Sequence, residues 1–359
     1  VSERHGAHLD STAPIRPGEE LDLARLEPFL RSALPGFSGE LSVEQFPAGH
    51  SNLTYCLKLG SEQLVLRRPP FGSKVKSAHD MGREYRILSH LHSIYPLAPE
   101  PLAYCDDDEV LGAPFYVMRR IRGIVFRTDV PAGIQLTSDD VRALHEGFID
   151  NLARLHAVDF EGAGLGELGR PEGYIQRQVE GWSKRYIGSR THDIPEMDRI
   201  IAWLHEDAPN EVAAALIHND YKLDNVVLDA DDPTTLVGVL DWEMSTLGDP
   251  LMDLGSAISY WIEADDPDEI QAIRWGPTTI PGSLTRQQLA DRYAVATGLD
   301  VSNIAWYVAF GYFKVAVIAQ QIYYRYHVGK TRDARFERFL EATRLLCRAA
   351  CRTADRGAI

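Results

Sequence analysis

Apolar and polar positions alternate along the first third of the chain. Leu41 to Phe46 and Leu53 to Leu59 follow the two-residue period of a half-buried strand, and Gln63 to Arg67 and Tyr116 to Met118 are short apolar runs of strand length. Between them, Ala78 to His92 repeats at helical spacing. A small antiparallel sheet with one helix is therefore expected. Beyond Gly123 the period lengthens: Leu144, Phe148, Leu152 and Leu155 fall on one face of a helix for which Ser138 is the expected cap. Further helices are predicted over Pro171 to Tyr186, Met197 to Leu204, Leu251 to Ile262, Arg286 to Thr297, Ile304 to His327 and Ala334 to Arg352. The expected class is α+β, with a small N-terminal sheet lobe and a larger, mainly helical C-terminal lobe.

At 359 residues the chain is long for one core, and a division near residue 120 follows, into 1–120 and 121–359, with the first 20 residues loosely ordered. The apolar stretch Ile304 to Ala319 contains Gly311 and Lys314 and ends in Gln320 and Gln321, which favours a buried helix over a membrane span. The start shows no charged segment followed by an apolar run and a small-residue cleavage site. Cys56, Cys105, Cys347 and Cys351 are too scattered for a disulfide framework. A reducing, cytoplasmic location is the expectation, and Cys347 and Cys351, which share a helix face, are expected to pack in a core. The net charge is −15, and beyond residue 120 there are 36 Asp and Glu against 24 Lys and Arg. That balance opposes partnership with nucleic acid or an anionic membrane; it fits either a cationic substrate or a solvated acidic surface.

The stretch His218-Asn219-Asp220-Tyr221-Lys222-Leu223-Asp224-Asn225, followed sixteen residues after Asn225 by Asp241-Trp242-Glu243, carries the chemistry. It has the makings of a phosphoryl-transfer site. Between the two segments, Val226 to Leu228 and Leu236 to Leu240 flank a turn-rich run through Pro233, which reads as strand, turn, strand. A turn centred on Pro233 would set Asn225 and Asp241 opposite each other in the ladder, about 5 Å apart at Cα. Two oxygen ligands would then share one Mg²⁺, which takes few protein ligands and completes its shell from water and nucleotide phosphates. Asp220, on the loop entering this hairpin, is the candidate group to orient an incoming hydroxyl and accept its proton. Lys222 would lie beside it and neutralise charge on the transferred group. His218 reads as a structural prop of that loop. Gly248-Asp249-Pro250 reads as a helix start with Asp249 as cap, and Asp253 as a brace for the loop.

Candidate nucleotide groups lie upstream. Gly49, His50, Ser51 and Asn52 form a turn whose amides can approach phosphates. A plain hairpin turn is the bland alternative for these four residues. Arg67 ends its strand where a phosphate-binding cation is needed, and Glu84 on the following helix is its expected partner. The alternative for this pair is a set of exposed surface charges. The connection Arg119 to Gly123 is short, and a nucleotide base is expected to dock there through backbone groups, with Met118, Arg119, Arg120 and Ile121 as the candidate residues.

With these residues the chain resembles the aminoglycoside phosphotransferase and choline kinase group, whose fold is similar to that of protein kinases. The resemblance runs from about Val43 to Asp253 and rests on His218-Asn219-Asp220 to Asn225 and on Val239-Leu240-Asp241-Trp242-Glu243 to Asp253, with support from Gly49 to Asn52 and Leu155-His156. Within the group it is similar to kinase-like domains found with acyl-CoA dehydrogenases, through Val65-Leu66-Arg67-Arg68-Pro69-Pro70, Phe115-Tyr116-Val117-Met118, Gly173-Tyr174 and Asp241 to Pro250. The resemblance implies Asp220 as catalytic base, Asn225 and Asp241 as Mg²⁺ ligands and Arg67 as the phosphate-binding cation. Lysine is common at the Arg67 position elsewhere in the fold, so the arginine is a departure.

The resulting expectation is an ATP- and Mg²⁺-dependent kinase, with GTP as the other nucleotide to consider, that phosphorylates a hydroxyl of a small molecule. Aminoglycoside is the acceptor the family name suggests; a hydroxylated acyl or other metabolic alcohol is the acceptor the subgroup suggests. Two rival classes are a nucleotide-binding scaffold with little turnover and a metallohydrolase built on His218, Asp220 and Asp241. The second would need further His ligands, which the sequence does not offer at recognisable spacing.

Overall fold

The structure, a computed structural model, describes residues 10–47, 52–71, 80–331 and 333–359. In chain order the elements are α1 (Leu23–Ala33), β1 (Leu41–Gln45), β2 (Leu53–Leu59), β3 (Glu62–Arg68), α2 (Met81–Leu91), β4 (Pro101–Cys105), α3 (Asp108–Leu111), β5 (Phe115–Arg119), α4 (Ser138–His156), α5 (Tyr174–Ser189) and α6 (Pro195–Glu206). There follow β6 (Ala215–Ile217), β7 (Val226–Leu228), β8 (Leu236–Val239), β9 (Thr246–Gly248), α7 (Pro250–Ser259), α8 (Asp268–Gln271), α9 (Arg286–Thr297), α10 (Ile304–His327) and α11 (Phe339–Arg356). Two compact units result. The first takes the described residues up to Val125 with Gly162–Leu165 and Val226–Glu243; the second takes Phe126–Glu161, Gly166–Asn225 and Met244–Ile359.

In the first unit a five-stranded antiparallel sheet runs in the order β1-β2-β3-β5-β4. Its strands bury Tyr55, Leu57, Leu64, Leu66, Phe115 and Val117 in one cluster with Leu26 and Leu30 of α1. The sequence pattern does not announce α1, because Pro28 breaks it, although Asp22 caps the helix by accepting from the Arg25 amide. Nor does it announce β4, which begins at a proline; β4 lies at the sheet edge, where a missing ladder donor is tolerated. Helix α2 begins at Met81 behind the Asp80 cap and buries Glu84, Ile87, Leu88 and Leu91, a single helical face. Glu84 is therefore an acid on the core side.

The β7–β8 hairpin belongs to this first unit. Ile124 bridges to Leu228, and the Val239 amide donates to the Leu97 carbonyl at 2.7 Å. Its register corrects the symmetry expected about Pro233. The ladder pairs Val226 with Val239 and Val227 with Gly238, then shifts so that Leu228 meets Leu236. Continued outward, this register sets 225 against 240, so Asn225 and Asp241 are not ladder partners. Asn225 instead closes a 3₁₀ turn, Leu223–Asn225, and Asp241 has a left-handed backbone, φ 68°.

The second unit is mainly helical. Thr137, not Ser138, caps α4: its hydroxyl accepts from the Asp140 amide while the Asp140 carboxylate accepts from the Thr137 amide, leaving Ser138 as the first helical residue. Helices α9 and α10 span the predicted ranges, whereas α5 starts three residues later than expected and α11 is preceded by a 3₁₀ turn at Ala334–Phe336. Cys347 and Cys351 of α11 are buried, with the Cys347 sulfur 3.8 Å from that of Met197. Among the described residues no helix is long and apolar enough to cross a membrane. Helix α7 begins as the sequence suggests, with Asp249 accepting from the Leu251 amide and Pro250 in the first turn. It packs against α10 so closely that a Cβ at Gly255 would lie 2.5 Å from Tyr307 backbone atoms, and this contact fixes the depth at which α7 sits.

Candidate active site

Strand β6, paired antiparallel with β9, delivers the chain into the loop His218 to Asn225. The start of that loop is fixed by α7. The Asp253 carboxylate, fully buried, accepts from the His218 amide at 2.6 Å and the Asn219 amide at 2.7 Å, and its Oδ2 lies 3.1 Å from His156 Nε2. Burial alone would raise the Asp253 carboxyl pKa, but the His156 hydrogen bond, the nearby imidazoles and the His218 amide outweigh it, so the group lies below its ordinary value. The His218 ring is buried and its Nδ1 accepts from the Asp220 amide at 3.3 Å, the structural role expected of it.

Asn219 and Asp241 are the two non-glycine residues with left-handed φ among those described, at 66° and 68°. Such a conformation costs energy and persists where neighbours over-determine it. At Asn219 they do. Its side chain accepts from the Tyr174 hydroxyl at 3.1 Å and donates to the Met244 carbonyl at 3.1 Å, and its own carbonyl accepts from Lys314 Nζ at 2.5 Å. Lys314 is buried, which lowers its pKa against the opposing pull of Asp220 and Asp253. Its isolation in the apolar helix α10 was the one sequence signal for this contact.

The next residue, Asp220, is the candidate base. Its Oδ1 accepts from the Tyr260 hydroxyl at 3.0 Å; its Oδ2 lies 3.1 Å from Lys222 Nζ and accepts from Asn225 Nδ2 at 3.0 Å. The side chains of Asp220 and Lys222 keep 17% and 18% of their surface, enough for a substrate hydroxyl to approach. Asn225 Nδ2 also donates to the Asp220 carbonyl at 2.9 Å, so the amide nitrogen faces inward and the amide oxygen is the atom suited to a hard cation. A small recess, large enough for little more than one water, opens beside Lys222 and is lined by Phe148, Leu223, Tyr260, Trp261 and Trp275 among others. Sequence reasoning missed Tyr260 because it caps the end of a buried helix and nothing local ties it to Asp220.

In the first unit Arg67 and Glu84 form the pair expected of them, at 2.8 Å, and both are buried rather than lying on the surface. Arg67 also donates to Asp241 Oδ1 at 2.9 Å, with Glu243 at 3.9 Å. Burial disfavours the guanidinium charge, but Glu84, Asp241 and Glu243 together outweigh it and raise the Arg67 pKa. Asn52 donates to Glu243 Oε2 at 2.7 Å, and Arg83 donates to the Glu243 carbonyl at 3.1 Å. Trp242 anchors the segment: its ring is buried against Tyr95 and its Nε1 donates to the Val239 carbonyl. Gly49, His50 and Ser51 lie outside the described residues.

At the connection, Met118 is buried opposite Val65 in the sheet. The Arg119 and Arg120 amides are taken up by the Glu100 and Gln63 carbonyls, and their side chains reach Glu100, Glu62 and Gln63. Those two amides are committed within the sheet. Ile121 lies against Gly238 of β8, where a Cβ would come within 2.7 Å of it.

Comparison with known proteins matches residues 42–283 to a family described as the phosphotransferase enzyme family. Acyl-CoA dehydrogenase family member 11 of Mus musculus is 37% identical over 331 residues, which cover 89% of this chain and 41% of that protein. The chain thus spans less than half the length of that relative. A crystal structure from Ralstonia eutropha, described as that of a candidate aminoglycoside phosphotransferase, superposes with a TM-score of 0.80 at 31% identity, covering 94% of this chain and 99% of the other. A thermostable aminoglycoside phosphotransferase mutant in ternary complex with AMP-PNP and hygromycin B has a TM-score of 0.56 at 18% identity, covering 91% and 98%, and shares the fold. The kinase-like α+β fold and the likeness to the acyl-CoA dehydrogenase-associated subgroup both agree with the sequence reading.

Proposed function

This chain belongs to the phosphotransferase enzyme family, and on that premise we propose that it transfers the γ-phosphate of ATP to a hydroxyl of a small molecule with the help of Mg²⁺. The observation that carries the proposal is the Asp220 carboxylate, held through both oxygens yet partly open to solvent. Phosphoryl transfer runs through a loose transition state, so the base has little proton to remove early and works mainly by orientation. Asp220 orients the acceptor hydroxyl and takes its proton late. Lys222 neutralises charge on the transferred group. Arg67, kept cationic by its carboxylate neighbours, binds nucleotide phosphate, and Glu84 holds it in place. Nucleotide use is supported by the AMP-PNP complex of a protein with the same fold.

Asn225 and Asp241 are the residues that would hold Mg²⁺. They fit it chemically: one offers an amide oxygen whose nitrogen is already committed to Asp220, the other a carboxylate. When bound, the ion supplies charge neutralisation on the phosphate oxygens.

For the acceptor, the similarity to acyl-CoA dehydrogenase family member 11 supports a second reading within the same activity. A hydroxylated acyl or other metabolic alcohol is the acceptor of that reading; the recess beside Lys222 holds little more than one water, and the rings of Phe148 and Trp261 are buried, so the recess itself does not select an acceptor. A screen of Mg-ATP turnover to ADP over aminoglycosides, choline-like amines, hydroxy acids and hydroxyacyl thioesters tests both. Turnover confined to the last two groups is expected; no Mg²⁺-dependent turnover with any of them would leave the nucleotide-binding scaffold as the better account.

A further inference from the structure

Helix α7 holds the catalytic loop at two points seven residues apart, about two helical turns. Asp253 grips the backbone at His218 and Asn219. Tyr260, the cap residue at the other end of α7, reaches the Asp220 carboxylate itself.

The three donors on that carboxylate are not equivalent. A carboxylate turns easily about its terminal torsion, which has broad wells. The Lys222 ammonium is a flexible point charge; it also lies 3.8 Å from Asp224 and 5.1 Å from the Tyr260 ring centroid. Asn225 and Lys222 both act on Oδ2. Tyr260 alone among these three acts on Oδ1, and its ring is set by an edge contact with Trp275, centroids 5.3 Å apart at 76°. Burial and the neighbouring Asp220 charge push the Tyr260 phenol well above its ordinary pKa, so it remains a donor throughout the working range.

Resting on the base role proposed for Asp220, we infer that Tyr260 is a positioning residue: anchoring Oδ1 while Asn225 anchors Oδ2 fixes the plane of the carboxylate toward the acceptor hydroxyl. The same side chain lines the small recess beside Lys222, so it sits between the core rings of the helical unit and the carboxylate that would receive the proton.

The test is a double-mutant cycle. ADP formation from Mg-ATP is measured with water alone and with each compound of the acceptor panel for the wild type, Tyr260→Phe, Asp220→Asn and the double variant. Tyr260→Phe keeps the ring and is expected to lower kcat about tenfold, the weight of one hydrogen bond to a charged group, with the KM for ATP changed less than twofold. On the Asp220→Asn background the same change is expected to cost less than twofold, because its effect passes through Asp220. Trp275→Phe, which disturbs ring packing and leaves the hydroxyl, is expected to shift acceptor KM more than kcat. Independent, additive losses in the cycle overturn the inference, as does a Trp275→Phe variant that reproduces the Tyr260→Phe loss in kcat. Wild-type turnover in Asp220→Asn overturns the underlying reading instead, so the two failures are distinguishable.

Discussion

The Arg67 guanidinium joins Glu84 and Asp241: Nη1 donates to Glu84 at 2.8 Å while Nη2 donates to Asp241 at 2.9 Å. One planar fork thus ties the buried acid of α2 to the residue proposed to ligate Mg²⁺. A lysine ammonium at this position would have less reach to serve both carboxylates, which gives a structural reason for the arginine where related folds commonly carry lysine.

Removing that cation leaves the buried Glu84 carboxylate without its opposite charge. Arg67→Ala is expected to destabilise the protein by about 3–5 kcal/mol, the usual cost of breaking a buried pair from one side. Arg67→Lys should cost less in stability but raise the KM for ATP. Denaturant unfolding and nucleotide titration separate the two; an Arg67→Ala protein as stable as the wild type would show that Glu84 does not depend on this partner.

Asp220→Asn preserves the shape of the side chain and removes the proton acceptor. Transfer to the acceptor is expected to fall by roughly 10²- to 10⁴-fold with ATP affinity nearly unchanged. Calorimetric titration of ATP alongside steady-state turnover checks both halves. Equal turnover would take Asp220 out of the mechanism.

Asp241→Asn isolates charge from backbone strain, because asparagine tolerates the left-handed conformation that Asp241 adopts. The Mg²⁺-dependent part of ATP affinity is expected to disappear, and the melting temperature to fall modestly because the buried Arg67 keeps Glu84 but loses a charged partner. Titrations with and without the metal measure it, and an unchanged Mg²⁺ dependence would remove Asp241 as a ligand.

Much of this was legible in the sequence because local chemistry determined it. The α7 start could be read from Asp249-Pro250, and the Arg67–Glu84 pair from a strand-end cation followed by an acid on the next helix. What stayed hidden depends on contacts distant in sequence. Tyr260 gains meaning only when α7 brings it to Asp220, forty residues away along the chain. Lys314 caps the Asn219 carbonyl from a helix whose apolar pattern indicates only burial. The hairpin register slipped for a different reason: the shift between Val227 and Leu228 moves the centre of symmetry off Pro233, and no turn residue announces it.

The clamp at the start of the loop should carry a pH signature. The Asp253 carboxyl has a folded-state pKa below its ordinary 3.8, so the unfolded chain binds its proton more readily than the native one. Its contribution to stability is therefore fully present above about pH 4, near the reference carboxyl value, and is lost as pH falls through the lower folded value. Asp253→Asn removes that charge while keeping the size of the side chain. At pH 7 the variant is expected to be less stable by about 1.5–3 kcal/mol, the weight of a hydrogen bond to a charged group. The gap should narrow on acidification below the carboxyl range, because the wild type then loses the same charge. Denaturant unfolding of both proteins at pH 7 and at acid pH measures the gap. A constant difference would mean that the carboxylate charge contributes nothing to the clamp, and that the Asp253 side chain holds the His218 and Asn219 amides by shape and neutral hydrogen bonding alone.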